Sequence, residues 1–335
     1  MWHSMCMKAV VCKQYGPPES LSFEDLPSPR PGPGEAVVSV RAASVNFPDV
    51  LIIQNKYQFK PPLPFSPGSE LAGVVKEVGP GVSTFRPGDK VMAFTTYGAF
   101  AEEVKTEASR LVPMPEGMEY SAASAFLLTY GTSDHALRDR GALKSGETLL
   151  VLGAAGGVGL TAVEIGKALG ARVLAAASTR EKLELAKQHG ADAAFNYTTD
   201  TIKAKVMEFT GDRGIDVAYD PVGADYAEQV VRSMAWNGRY LVIGFAGGKI
   251  PAVPLNLPLL KGCSLVGVFW GAHTRREPQV HAANLKALFE LFESGKIRPH
   301  VTELDGLDRY AEALDVLNGR LSQGKVVVRV ATGEG

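Results

Sequence analysis

Four glycines, Gly153, Gly156, Gly157 and Gly159, fall close together between an apolar run and a stretch with helical periodicity. Glycines so spaced let the backbone approach a phosphate, and the unpaired N–H groups at the helix start then bind it. The G-x-G-x-x-G register reads Ala154-x-Gly156-x-x-Gly159, with alanine in the first place. Gly153, Ala154, Ala155, Gly156, Gly157, Val158 and Gly159 are therefore the candidate pyrophosphate cradle. About 20 residues further on, an NAD site usually carries an acid for the ribose hydroxyls. This chain has Ala177, Ser178, Thr179, Arg180 and Lys182 there. Hydroxyls and cations suit a 2′-phosphate, and one charge-assisted bond of roughly 1.5–3 kcal/mol would favour NADPH about ten- to a hundredfold. Glu181 stands between the two cations and would weaken their field. Arg180 and Lys182 would serve equally as solvated residues on the next helix.

The elements that must hold these residues are legible around them. Leu149 to Leu152 is an apolar run of the length of a strand buried on both faces. Val158, Ala162, Ile165 and Leu169 line one helix face, Gly170 ends that helix, and Val173 to Ala177 makes the next strand. Strand, glycine turn, helix, strand is the dinucleotide-binding unit. Further strands are predicted at Ala193–Asn196, Asp216–Tyr219, Tyr240–Ile243 and Leu265–Val268, with helices at Glu181–Gln188, Thr199–Phe209 and Asp225–Ala235 between them. That alternation predicts a doubly wound parallel sheet. Before Tyr120 the texture is β: short strands at Lys8–Val11, Ala36–Arg41, Leu71–Val78, Lys90–Phe94 and Ala99–Val104, parted by turns such as Arg86-Pro87-Gly88-Asp89. A short helix is expected at Asn46-Phe47-Pro48, with asparagine as its cap. The tail carries amphipathic helices at Val280–Glu293 and Leu307–Asn318 and a last strand at Val326–Val330.

Composition narrows the function classes. A chain of 335 residues predicts two domains, and 35 basic against 36 acidic residues offer no electrostatic case for nucleic acid or an anionic membrane. Three cysteines, Cys6, Cys12 and Cys263, are too few for a disulfide framework, so a reducing cytoplasm is the expected setting. The N-terminus has no signal-peptide pattern, Met5 and Met7 offer alternative starts, and no run reaches the length of a membrane span.

Several motifs together resemble one family: the medium-chain dehydrogenase/reductase superfamily, in its zinc-free quinone oxidoreductase (zeta-crystallin-like) branch. They are SVNFPD, Tyr57, PGSELAGVV, RPGDKV, LTYGT, GAAGGVG, Asn196-Tyr197, YDPVG, VIGF and the terminal GKVVV, spread over nearly the whole chain. The resemblance implies α/β architecture: a GroES-like β domain (1–125), a Rossmann NADPH-binding domain (126–269) and a C-terminal return to the first domain (270–335). It implies NADPH as cofactor and a homodimer. It adds Tyr197 and Arg320 to Lys182 around the 2′-phosphate. It places Thr129, Gly244, Phe245, Val268, Phe269 and Trp270 along the nicotinamide half, and Asn46 and Tyr57 over nicotinamide and substrate. Plainer roles compete: Tyr57 as a loop aromatic packed on Pro61 and Pro62, Arg320 as a helix-terminal cation beside Gly319, Phe269 and Trp270 as core.

The zinc branch of the superfamily is the control. Asn46 stands where its first cysteine ligand would be, Ser69 where a histidine would precede Glu70, and the cysteine quartet of the structural zinc is missing. His3, His135, His189, His273, His281 and His300 show no paired ligand spacing. No metal is expected. Without a Lewis acid, alcohol oxidation loses its usual route, and reduction of an electrophilic acceptor remains. Three readings follow: an NADPH:quinone reductase, an NADPH-dependent enone or enoyl-thioester reductase, and an NADPH-binding sensor or structural protein with little turnover. Tyr57 hydroxyl, Asn46 amide or water would donate to the acceptor oxygen, and no nucleic acid or membrane partner is expected.

Overall fold

Short apolar strands parted by proline and glycine turns build the first of two compact units. The computed structural model describes residues 6–330; residues 1–5, including the alternative start at Met5, and 331–335 lie outside the described residues. β1 (Cys6–Val11) pairs antiparallel with β2 (Ser22–Pro27). β3 (Glu35–Ser44) is the hub of a larger antiparallel sheet with β4 (Glu70–Val78), β5 (Lys90–Phe94), β6 (Glu103–Glu107) and β7 (Leu111–Pro113). Three helical segments follow the pattern of the sequence: α1 (Phe47–Ile52), α2 (Tyr120–Ser124) and α3 (Leu127–Asp134), the last running on into a π-helical turn, His135–Arg140.

The second unit, Thr129–Arg298, alternates strand and helix. In order come β8 (Thr148–Leu152), α4 (Gly157–Ala168), β9 (Arg172–Ala177), α5 (Arg180–Gln188), β10 (Ala193–Asn196), α6 (Ile202–Thr210), β11 (Ile215–Asp220), α7 (Tyr226–Arg232), β12 (Met234–Val242), α8 (Asn256–Lys261), β13 (Ser264–Gly267), α9 (Trp270–Arg276) and α10 (Pro278–Glu293). The sheet is parallel throughout, in the order β10-β9-β8-β11-β12-β13, the doubly wound order of a dinucleotide-binding fold. Every residue of the central β8 is buried, which is why it reads as an unbroken apolar run. The chain then re-enters the first unit from Pro299 as β14 (Val301–Asp305), α11 (Tyr310–Asn318) and β15 (Lys325–Arg329), with β15 antiparallel to β3 and parallel to β14.

Two expectations need correcting. The return to the first unit begins at Pro299 rather than at 270. α9 and α10 are held in the second unit: Trp270 packs where any side chain on Gly131 would collide with it, Asn284 Nδ2 donates to Asp139 Oδ2 at 2.8 Å, and Arg298 N–H donates to Glu164 at 3.1 Å. The strand expected at Ala99–Val104 is found at Glu103–Glu107. Residues 99–102 split their N–H groups between Gly68, Pro67 and Lys8 carbonyls, so no single ladder forms there.

Candidate active site

The glycine cradle follows from the turn between β8 and α4. Gly153 has φ +58°, the left-handed region that glycine favours, whereas Ala154 does not; this is why alanine is tolerated in the first motif place. Gly156 caps α4, and its extended conformation leaves the first N–H groups of a twelve-residue helix facing outward from the turn. At Gly159 a Cβ would lie 2.1 Å from the Gly153 carbonyl oxygen, so only glycine lets the helix close on the strand. Ala154 and Ala155 are buried beneath the turn. The cradle thus has the open backbone and helix start that a pyrophosphate requires, with Gly157 and Val158 in the first turn of α4.

The ends of β9 and β10 lie side by side, Asn196 opposite Ala177, and bring the next set together. Tyr197 N–H donates to the Ala177 carbonyl, and Asn196 Nδ2 donates to the Ser178 carbonyl at 3.1 Å. Thr179 caps α5 by accepting from Lys182 N–H. Burial pushes the half-buried Lys182 ammonium below its ordinary range, a shift that a bound anion would reverse. Glu181 is exposed and turned to the helix start: its own backbone N–H and the Thr179 hydroxyl hold its carboxyl below the usual range. The structure therefore gathers Ser178, Thr179, Lys182 and Tyr197 at one end of the sheet, with Glu181 engaged in the α5 cap and the Asp200 carboxylate accepting from Asn196 N–H at 3.1 Å. The Tyr197 ring stacks at a tilt on Tyr226, ring centroids 4.7 Å apart.

Along the other half, Thr129 is buried and its carbonyl accepts from Thr161. Gly244 and Phe245 follow β12, their loop pinned to Asp220, whose carboxylate accepts from Val222 and Gly223 N–H and from the Tyr240 hydroxyl. Asp220 is a shaping residue that the sequence signalled only as part of YDPVG. Val268 N–H bonds back to the Val242 carbonyl. Phe269 is 61% exposed, whereas Trp270 is buried, so core packing describes Trp270 and not Phe269. Arg320 belongs to the first unit, exposed just past α11 with φ +58°.

In the first unit, Asn46 caps α1 and is buried in an ionic cluster. Its Oδ1 accepts from Lys325 Nζ at 2.5 Å, and its Nδ2 lies 3.3 Å from Ser69 Oγ and 3.3 Å from Glu70 Oε2. Glu70 also accepts from Ser44 Oγ and from Leu128 N–H, both at 2.9 Å, and stands 3.8 Å from the Lys325 ammonium. Burial pushes the Glu70 carboxyl up and the Lys325 ammonium down. Asp49 closes the α1 cap by accepting from Asn46 N–H at 2.8 Å; burial raises it to about 7. Tyr57 is half-buried against the same core, its hydroxyl raised by burial and then by the Asp49 charge. Lys325 and Asp49 were not found as site residues in the sequence, because neither has a motif of its own beyond the terminal GKVVV and the capping position.

This donor set does not suit a zinc ion. One amide, the Ser44 and Ser69 hydroxyls and the Glu70 and Asp49 carboxyls offer no thiolate or imidazole, and the Lys325 ammonium already supplies positive charge beside Glu70.

A GroES-like unit carrying a buried polar cluster, joined in sequence to a doubly wound unit with a glycine cradle, defines a dehydrogenase/reductase. Residues 32–116 match the alcohol dehydrogenase GroES-like domain family and residues 157–286 the zinc-binding dehydrogenase family. The chain is 38% identical to quinone oxidoreductase-like protein 2 homolog of Nematostella vectensis over 96% of its own length and 88% of the relative's. It is 31% identical to human quinone oxidoreductase, covering 96% and 97%. The solved structure of Escherichia coli quinone oxidoreductase complexed with NADPH superposes with a TM-score of 0.88 at 28% identity, covering 96% of this chain and 99% of that one. The chain belongs to the quinone oxidoreductase branch of the medium-chain dehydrogenase/reductase superfamily and is an oxidoreductase.

Proposed function

We propose that this oxidoreductase reduces a quinone with NADPH and uses no metal at the Asn46–Glu70 cluster. The observation that carries the cofactor choice is the joining of Ser178, Lys182 and Tyr197 at the ends of β9 and β10, where the nearby acids Glu181 and Asp200 are engaged by backbone N–H groups. Gly153–Gly159 would hold the pyrophosphate, and NADPH bound there supplies the hydride from its nicotinamide ring. Relatives that are quinone oxidoreductases, one of them solved with NADPH, support the same reading. Tyr57 carries the hydroxyl suited to donate to an acceptor oxygen as it gains charge, because burial and Asp49 both keep it protonated. The Lys325–Asn46–Glu70 cluster fixes the start of α1 and with it the loop that bears Tyr57. The proton for the reduced quinone comes from solvent.

The test is a panel of quinones, simple enones and enoyl thioesters scored by NADPH oxidation, with direct NADPH binding measured alongside. Quinone turnover well above the other two is expected, and exhaustive chelation should leave it unchanged. Preference for enoyl thioesters would replace the acceptor; binding with no turnover anywhere would make the protein a sensor or structural protein; loss of turnover on removing a tightly bound metal would end the metal-free reading.

A further inference from the structure

Two histidines far apart in sequence, His135 and His273, meet in the second unit, outside the glycine cradle. The π-helical turn carries His135 and Asp139, and α9 carries His273 with Glu277 four residues on. The His135 and His273 rings stack, centroids 3.8 Å apart and planes 15° from parallel, and both side chains are buried. Asp139 is exposed and opens the cluster to solvent. His135 Nδ1 lies 2.7 Å from Asp139 Oδ2, an oxygen that also accepts from Asn284 Nδ2 on α10 at 2.8 Å. His273 Nδ1 lies 2.7 Å from Glu277 Oε2. A carboxylate only accepts, so His273 Nδ1 carries a proton, and in the neutral ring Nε2 is the nitrogen left with its lone pair. That nitrogen is buried, has no hydrogen-bond partner, and stands 3.8 Å from Asp139 Oδ2.

A buried acceptor without a donor is costly in a native structure and calls for an unseen partner. Here the arrangement behind it is that of a metal ligand: imidazole orientation and tautomer fixed by a carboxylate on the far nitrogen. One ligand atom from each of His135, Asp139 and His273 lies within 4.8 Å of the other two. Donors on a tetrahedral zinc with bonds of about 2.0–2.1 Å stand about 3.3–3.4 Å apart. The observed separations of 2.7 and 3.8 Å fall on either side of that spacing. We propose that His135, Asp139 and His273 form a binding site for one divalent transition-metal ion, zinc by its two-imidazole, one-carboxylate donor set, with Glu277 and Asn284 holding the ligands from behind. For His135 to ligate through Nδ1 its proton moves to Nε2, so the ring changes tautomer, stays neutral and releases no proton, and Asp139 exchanges that hydrogen bond for the ion. The near-parallel rings tilt open so that both lone pairs reach one point. His281 packs edge-on to His273, ring centroids 6.1 Å apart. Such an ion ties the turn that continues α3 to the helix that begins at Trp270. Its role is to brace two segments, and it takes no part in hydride transfer.

The test titrates chelator-stripped protein with Zn2+, and separately with Co2+ for its visible d–d absorption. One ion per chain is expected, with a four-coordinate cobalt spectrum and a raised thermal midpoint. Asp139→Asn and His273→Gln should abolish the cobalt band, Glu277→Gln should weaken zinc binding about ten- to a hundredfold, and His300→Gln in the first unit should change nothing. Circular dichroism establishes that each variant is folded. Because Asp139 is a surface residue, its asparagine variant decides the question should His273→Gln unfold. No binding by the parent protein, or equal binding by parent and Asp139→Asn, overturns the site. Quinone turnover is read separately, so failure here leaves the proposed reaction untouched.

Discussion

Lys182 and Tyr57 are the two side chains whose chemistry the fold exposes to direct trial. The Lys182 ammonium is held down by burial, so a 2′-phosphate beside it would gain both a partner and a relief of that desolvation. Lys182→Ala is expected to raise the Michaelis constant for NADPH about ten- to a hundredfold and to leave that for NADH nearly unchanged, as a loss of roughly 1.5–3 kcal/mol requires. Equal use of both cofactors by the parent protein would refute the cofactor assignment. At Tyr57, removal of the hydroxyl should slow single-turnover reduction about five- to a hundredfold while NADPH affinity stays as it was. Asn46→Ala should also slow turnover, but by another route. Its amide is fully engaged with Lys325, Ser69 and Glu70, so the variant leaves a buried ammonium short of an acceptor and should lose about 1–3 kcal/mol of stability. Parent rates in both variants would reduce the pair to packing.

At the scale of elements, the cradle depends on α4 closing against β8. Gly159→Ala puts a methyl group 2.1 Å from a backbone oxygen that cannot rotate away, so the helix start must move. Calorimetry should show NADPH affinity falling at least tenfold with about 1–3 kcal/mol of stability lost; unchanged affinity would mean the helix start does not hold the pyrophosphate. The α1 cap carries a pH signature. Asp49 is raised from 3.8 to about 7, so the folded chain holds its proton more tightly than the unfolded chain. Its contribution to stability is therefore fully present below pH 3.8 and is lost as pH rises through 7. Asp49→Asn should flatten the fall in thermal midpoint across that window, and an unchanged slope in the variant would contradict the buried, protonated carboxyl.

Over the whole molecule, the open edge of the parallel sheet asks for a partner. β13 ends the strand order, and around it Trp236, Leu255, Leu259 and Leu260 are each more than 70% exposed, with Leu265 on the strand itself at 40%. Unpaired strand edges and clustered apolar side chains are what a second copy covers in a two-fold dimer. Light scattering at micromolar protein should give the mass of a dimer, and Leu259→Lys with Leu260→Lys should shift it toward monomer. A monomeric parent protein would remove the idea. No described helix is long and apolar enough to cross a membrane, and the three cysteines form no disulfide among the described residues, with Cys6 exposed and Cys12 buried.

The sequence by itself determined the nucleotide unit and the family. Local patterns suffice there: β8 is apolar because it is buried on both faces, Gly153 and Gly159 are glycine because of a left-handed turn and a backbone approach, and Gly170 ends α4 with φ +82°. It also marked Asn46 by its place before Pro48 at a helix start. Charged, alternating β2 and short β7 and β14 left no such mark, because their pairing partners are supplied from elsewhere in the chain. Tertiary structure alone decided that α9 and α10 stay with the parallel sheet, since Trp270, Asn284 and Arg298 meet partners more than a hundred residues away. It alone brought Lys325 to Asn46 and Glu70, and His273 onto His135. Spacing along a chain reports contacts made within one turn or one strand pair; ions and rings that meet across a fold leave no periodicity to read.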